Sequence, residues 1–148
     1  MEVQFGAPTD IDSWMDLVEE VKWNFPGLET ETAIEEHKST VMEFISQRRA
    51  LCVKDQNIIV GVLLFSRKYN MICCLAVKPE YRKRGIASML MKKALSELDG
   101  DKDIVVSTFR EGDEKGIAAR AFYKKFGFVE GELTEEFGSP CQVFTLFR

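Results

Sequence analysis

Leu75-Ala76-Val77-Lys78-Pro79-Glu80-Tyr81-Arg82-Lys83-Arg84-Gly85-Ile86-Ala87-Ser88 decides how this chain is read. An apolar strand stops at Pro79, which has no N–H to give a sheet. A short basic loop follows, and an amphipathic helix starts at Gly85. Ala87, Leu90, Met91, Ala94, Leu95 and Leu98 share one face of it, with Lys92, Lys93 and Glu97 off that face. The first turn of a helix leaves backbone N–H groups unpaired and carries a partial positive charge of about half a unit. Such an end suits a phosphate. Gly85 and Ala87 are small enough to let an anion approach the backbone, and Arg82, Lys83 and Arg84 add positive charge. Residues 78–93 carry a net +5 and the rest of the chain −9, a split hidden within the formal net charge of −4. Neither a Walker A loop nor a dinucleotide fingerprint is present. The loop on its own reads as a site for a phosphate-bearing ligand, with RNA contact or plain surface as alternatives.

The rest of the chain supplies the setting. Val3–Ala7 reads as a short first strand. Thr9 or Asp10 caps a helix with Ile11, Trp14, Met15, Val18 and Val21 on one stripe. Asn24-Phe25-Pro26-Gly27 breaks it. A second helix is expected from Glu31 to Arg48, with Ile34, Val41, Phe44 and Ile45 inward. His37 shares that side and reads first as a packing residue. Ala50–Asp55 and Ile58–Arg67 form a hairpin about Gln56-Asn57, and Met71–Val77 returns as a third central strand. After the helix over Gly85–Leu98 come a strand at Ile104–Phe109 and a helix at Ile117–Phe126, ended by Gly127. Phe128–Leu133 and Gln142–Phe147 make a last strand pair. A hairpin meander feeding a strand–helix–strand crossover implies a mixed sheet with helices on both faces.

Composition narrows the function. The chain has 148 residues, 45% apolar and 30% charged, as expected for one globular domain over 1–148. Its mild acidity argues against a general nucleic-acid binder. The longest apolar stretch, Ile58 to Phe65, falls far short of the ~20 residues that span a bilayer. The first residues lack the pattern of an export signal. Cys52, Cys73, Cys74 and Cys141 include no C-x-x-C pair, and His37 is the lone histidine, so no zinc site is expected. The four cysteines read as reduced thiols filling strands in a cytoplasmic protein, with Cys73 and Cys74 on opposite faces of theirs.

Arg82-Lys83-Arg84-Gly85-Ile86-Ala87 resembles the Q/R-x-x-G-x-G/A signature of the GNAT superfamily of acyl-CoA-dependent N-acyltransferases. Ala119-Arg120-Ala121-Phe122-Tyr123-Lys124-Lys125-Phe126-Gly127-Phe128 resembles that family's A-x-x-F-Y-x-x-x-G-F helix and strand. The resemblance implies a GNAT-like α/β fold, with about seven mostly antiparallel strands and four helices on both faces. It implies acetyl-CoA as cosubstrate and no metal. Amides from Arg82 through Lys83, Arg84, Gly85, Ile86, Ala87 to Ser88 would bind the CoA pyrophosphate. Leu75, Ala76 and Val77 would pair with pantetheine where their strand splays from its neighbour. An amide of that stretch could hold the thioester oxygen as it becomes an oxyanion.

Tyr123 maps onto the tyrosine that many members use as general acid. It should lie over Ala119 and Gly116, whose small size would leave a slot for pantetheine, while Phe122 and Phe126 face the core. Members often carry an asparagine where Gly116 stands here.

The resemblance also implies direct attack of a neutral primary amine on the thioester, with no nucleic acid or membrane as partner and a homodimer left open. The base is unassigned. Glu20, His37, Glu111, Asp113, Glu135 and a water chain are the candidates, and an acyl-cysteine at Cys73 or Cys74 is the minor alternative. The loops Phe109–Lys115 and Glu135–Pro140 are expected to border the acceptor cleft, with Trp14, Trp23 and Phe25 as its wall. With the asparagine missing and no assigned base, a non-catalytic acyl-CoA-binding regulatory module stays open as the second reading.

Overall fold

The computed structural model describes all residues from Met1 to Arg148. The chain runs β1 (Val3–Phe5), α1 (Ile11–Val21), α2 (Glu31–Ser46), β2 (Ala50–Asp55), β3 (Ile58–Ser66), β4 (Met71–Val77), α3 (Ile86–Glu97), β5 (Ile104–Phe109), α4 (Ile117–Lys125), β6 (Val129–Glu136) and β7 (Ser139–Leu146). The seven strands form one sheet in the order β1-β2-β3-β4-β5-β7-β6. All neighbours pair antiparallel except β4 and β5, which α3 joins as a parallel pair. The expected mixed sheet with four helices is the observed one.

Each face of the sheet carries its own core. One is built on α3 and α4, from Leu63, Phe65, Leu90, Met91, Tyr123 and Phe144 among others. The other lies beneath α1 and α2 and includes Trp14, Leu17, Val41, Ile45 and Val62. Trp14 is wholly buried there, so it packs the core and does not wall a cleft. Gly61 sets how close α3 comes to the sheet. A Cβ built on it would lie 2.6 Å from Ile86 Cγ2 and 3.1 Å from Leu90 Cδ1. Glycine in this strand therefore seats the first turn of α3 directly on β3.

Local chemistry fixes the element ends. Thr30 caps α2 by accepting from the Ala33 amide at 3.0 Å. The Asp10 carboxylate accepts from the Ala7 amide at 2.8 Å and pairs with Lys54 at 2.7 Å. Asn70 clamps the start of the parallel pair. It is buried, directs its Nδ2 at the carbonyls of Asp99, Lys102 and Asp103 at 3.1–3.2 Å, and accepts from the Asp99 amide at 2.9 Å. The turn before β4 is thus tied to the loop before β5.

The last two strands differ from expectation. β6 and β7 run on through Glu136 and Ser139, leaving Phe137 and Gly138, both at positive φ, as the turn. Glu135–Pro140 is therefore a hairpin end and not a loose loop. Pro140 fits in a strand here because β5 pairs with β7 only as far as Cys141.

Candidate active site

Beyond the clamp at Asn70, β4 and β5 part. Only Met71–Val105 and Ile72–Val106 are in register. The next residue, Cys73, is left over from the β3–β4 ladder, in which Cys74 faces Leu64 but Ile72 already faces Phe65. That extra residue is a β-bulge, which bends and twists the strand that holds it. It sits where β4 leaves β5. On the β3 side Leu75, Ala76 and Val77 stay paired with Leu63, Val62 and Gly61. On the β5 side their backbone is free. The splay that the sequence does not reveal thus has a local cause.

The opening is a cleft of about 520 Å³. Its floor is the splayed pair, with Leu75, Ser107 and Thr108 among its residues. Ala119 and Tyr123 of α4 line one side, and His37 and Phe44 of α2 the other. Cys73 and Cys74 both line it, because the bulge breaks the alternation expected of a regular strand. Cys73 is exposed, so it is no strand filler. All four cysteines are free thiols. Atoms packed around each thiol push Cys73 up to about 11, although the residue is solvent-exposed, and Cys74 up to about 12. Both stay protonated at neutral pH, which opposes a thiolate nucleophile and an acyl-cysteine.

Tyr123 is 5% exposed, more deeply set than the half-buried Phe122 and Phe126. It packs against Phe128 and Phe144 and also lines the cleft. Burial, with the nearby Cys74 thiol adding to it, raises the phenol above its ordinary value of 10. Ala119 lies beside it as expected. Gly116 does not open a slot. A Cβ there would come within 2.9 Å of Phe109 Cβ, so the glycine packs against β5.

The basic loop is set by two left-handed residues, Lys83 (φ 63°) and Gly85 (φ 81°). No backbone N–H from Lys83 through Arg84, Gly85, Ile86 and Ala87 to Ser88 finds an acceptor in the protein. The Arg82 amide does, reaching Pro79 at 3.3 Å. Nothing lies within 4 Å of a Cβ built on Gly85. Arg82, Lys83 and Arg84 are exposed and make no ion pair, though Arg84 stacks on Tyr81 at 4.8 Å. Lys78, by contrast, is bound to Glu20 at 2.8 Å. Ile86 is buried and anchors the helix, so only its amide can serve a ligand. Successive free amides, unpaired cations and open space together fit the pyrophosphate of a nucleotide-bearing substrate.

Among the five candidate bases, the cleft receives His37 only. Glu20 is held by Lys78, and Asp113 caps its own turn through the Lys115 amide at 3.0 Å. Glu111 and Glu135 are exposed away from the cleft. Burial lowers His37 below its ordinary value of 6.5, so it is neutral and able to accept a proton at pH 7. Phe25 lines the cleft as expected, while Trp23 is exposed outside it.

Lys115, Glu136 and Phe137 line the cleft, as expected of the loops Phe109–Lys115 and Glu135–Pro140, whereas Glu36, which also lines it, and Arg120 escaped the sequence reading. Arg120 is 6% exposed and supports its wall. It donates to the Phe109 carbonyl at 3.0 Å and to Gln142 at 2.9 Å, and pairs with Glu130 at 3.2 Å. Nothing local to Arg120 distinguishes it from a solvated helical arginine.

Known proteins share this fold. Residues 46–130 match the family model of the acetyltransferase (GNAT) domain, and the chain belongs to that family. A GNAT-family acetyltransferase of Bacillus cereus ATCC 10987 is 22% identical, with a TM-score of 0.76 over 99% of this chain and 96% of its own. The PaiA N-acetyltransferase of Thermoplasma acidophilum, solved in complex with coenzyme A, is 19% identical, with a TM-score of 0.73 over 99% and 98%. A GNAT-family acetyltransferase of Streptococcus agalactiae 2603 reaches a TM-score of 0.77 at 14% identity, over 99% and 95%. These likenesses carry the fold. No curated protein matches the sequence. No helix is long and apolar enough to cross a membrane.

Proposed function

We propose that residues 1–148 form one GNAT domain that transfers an acetyl group from acetyl-CoA to a primary amine in a ternary complex. The observations that carry this are the cleft where β4 leaves β5, which holds Leu75, Tyr123 and His37, and the run of free amides in the loop that follows β4. The pyrophosphate lies on the amides from Lys83 to Ser88, and the exposed Arg82, Lys83 and Arg84 neutralise phosphate charge. The pantetheine arm passes Ala119 and pairs with the β5-facing backbone of Leu75, Ala76 and Val77. This seats the thioester near Tyr123. The amine enters from the α2 side, where His37 takes its proton as nitrogen attacks the thioester carbon. The C–S bond breaks, and the Tyr123 phenol donates to the departing sulfur.

Acetyl-CoA is expected to raise the melting temperature, since a ligand that binds only the folded state stabilises it by about 2.7 kcal/mol at 100 times Kd. Thiol release with an amine panel then tests transfer. A thermal shift without thiol release on any amine would favour the non-catalytic acyl-CoA-binding module. No shift at millimolar acetyl-CoA would remove both readings.

Gly85→Val tests the loop. Left-handed backbone costs an ordinary residue roughly 1–2 kcal/mol, and a branched side chain would stand where the anion approaches. The expected result is a drop of a few degrees in Tm and at least a tenfold rise in Kd for acetyl-CoA, measured by calorimetry. Retained affinity would place the phosphates elsewhere.

A further inference from the structure

The acceptor end of the cleft has a definite chemical character. Its walls come from three separate elements on the side of the sheet away from α3. Phe44 stands on α2, Phe25 and Leu28 on the segment after α1, and Phe137 on the β6–β7 turn. The turn and the segment touch across the cleft. A Cβ on Gly27 would lie 2.8 Å from Phe137 Cγ, so only glycine lets the two meet. Glu36 of α2, which is exposed, and the half-buried Glu136 of β6 also line the cleft. Lys115 offsets one of these charges, and His37 is neutral, which leaves the cleft near −1. The cleft as a whole, which also takes the pantetheine arm, is about 520 Å³, so its acceptor end has room for a small molecule only.

We infer that the acceptor is a monocationic primary amine carried on an apolar, ring-sized body, held by Glu36 and Glu136 between the Phe25, Phe44 and Phe137 side chains. This rests on the acetyltransferase reading and adds the substrate class to it. A polyamine would bring a second and third ammonium into a site with charge for one. A peptide would set its amide N–H and C=O groups against phenyl faces that cannot hydrogen-bond them. An aryl ring stacks well on such faces, and a single ammonium is drawn to the carboxylates and to the ring faces alike.

The test is calorimetric titration of the full chain, with and without saturating CoA. The probes are 2-phenylethylamine, 2-phenylethanol, spermidine and a glycine-led tripeptide. The amine 2-phenylethylamine is expected to bind at least about tenfold tighter than each of the others. Glu136→Gln should weaken it several-fold and leave 2-phenylethanol unchanged. Phe137→Asn, which keeps a residue at home in left-handed backbone, should weaken both aryl probes. Tighter binding of spermidine or the tripeptide would overturn the assignment, as would equal binding of the amine and the alcohol, or no binding of any amine. Parallel assays of thiol release separate the two readings. Binding of 2-phenylethylamine without its acetylation would overturn transfer and leave the site assignment standing. Preferred acetylation of spermidine or the tripeptide would do the reverse.

Discussion

Tyr123→Phe is expected to lower kcat by about 10²–10³-fold, the range usual for loss of one proton donor, with Kd for acetyl-CoA changed less than about twofold. The ring keeps its packing against Phe128 and Phe144 in the variant, so the cleft wall and the stability are retained. Only the hydroxyl is lost. The need for a donor follows from the cleft itself. Cys73 and Cys74 sit in it, and their thiols are pushed up to about 11 and about 12. A thiolate leaving in such surroundings is a poor leaving group unless it is protonated. Burial raises the phenol above 10, which keeps it protonated and available as the donor. An equal loss of kcat and of acetyl-CoA affinity would mean that Tyr123 only shapes the pocket. Unchanged kcat would remove it from the reaction.

The same assignment fixes the pH profile. A phenol above 10 stays protonated through the neutral range, so Tyr123 contributes no limb there. The role proposed for His37 needs its neutral form, and burial favours that form. Its folded-state value therefore lies below 6.5, and activity is expected to hold at pH 7 and fall as pH drops through that lower value. His37→Gln should remove this acid limb from the kcat profile and lower kcat by about 10²-fold, with Kd for acetyl-CoA unchanged. A limb that survives the substitution would assign proton removal to water.

Much of the fold could be read because its signals are local. Pro79 ends a strand, Gly85 opens a helix, and the apolar stripe of α3 has a single register. The proposed roles of Tyr123 and of the loop amides rest on two short motifs. The cleft was less legible because it is made by pairing between distant strands. The bulge at Cys73 exists only relative to β3, and alternation within β4 alone predicts the opposite placement of the two thiols. Arg120 acquires its role from Phe109, Glu130 and Gln142, and Glu136 from the elements that face it across the cleft, none of them neighbours in sequence. The closure of Phe137 on Gly27 joins segments at opposite ends of the chain. Burial of His37 was expected from its helix face, but its place beside the splayed strands was not.

Gly116→Asn is expected to destabilise the fold by about 1–3 kcal/mol through overpacking and to give no gain in acetyl-CoA affinity. The substitution restores the residue that relatives often carry, so a simple reading would predict tighter binding. The packing argues otherwise. Gly116 is buried, and its φ of −94° would suit any residue, so the obstacle is space and not backbone conformation. A Cβ would stand 2.9 Å from Phe109 Cβ and 3.4 Å from the Phe109 carbonyl. That carbonyl is the one Arg120 holds at 3.0 Å. Pushing β5 away to admit asparagine would therefore strain a buried arginine's hydrogen bond and shift the cleft wall at Phe109. Without the clash, replacing a glycine in this conformation would stabilise by roughly 0.4–1 kcal/mol through the unfolded chain. The sign of the stability change thus separates the two cases. A fall of several degrees in Tm, with kcat/KM reduced, would show that the glycine is built into the packing of α4 on β5. A rise in Tm with tighter acetyl-CoA binding would show instead that the chain had lost a ligand contact it can still accommodate.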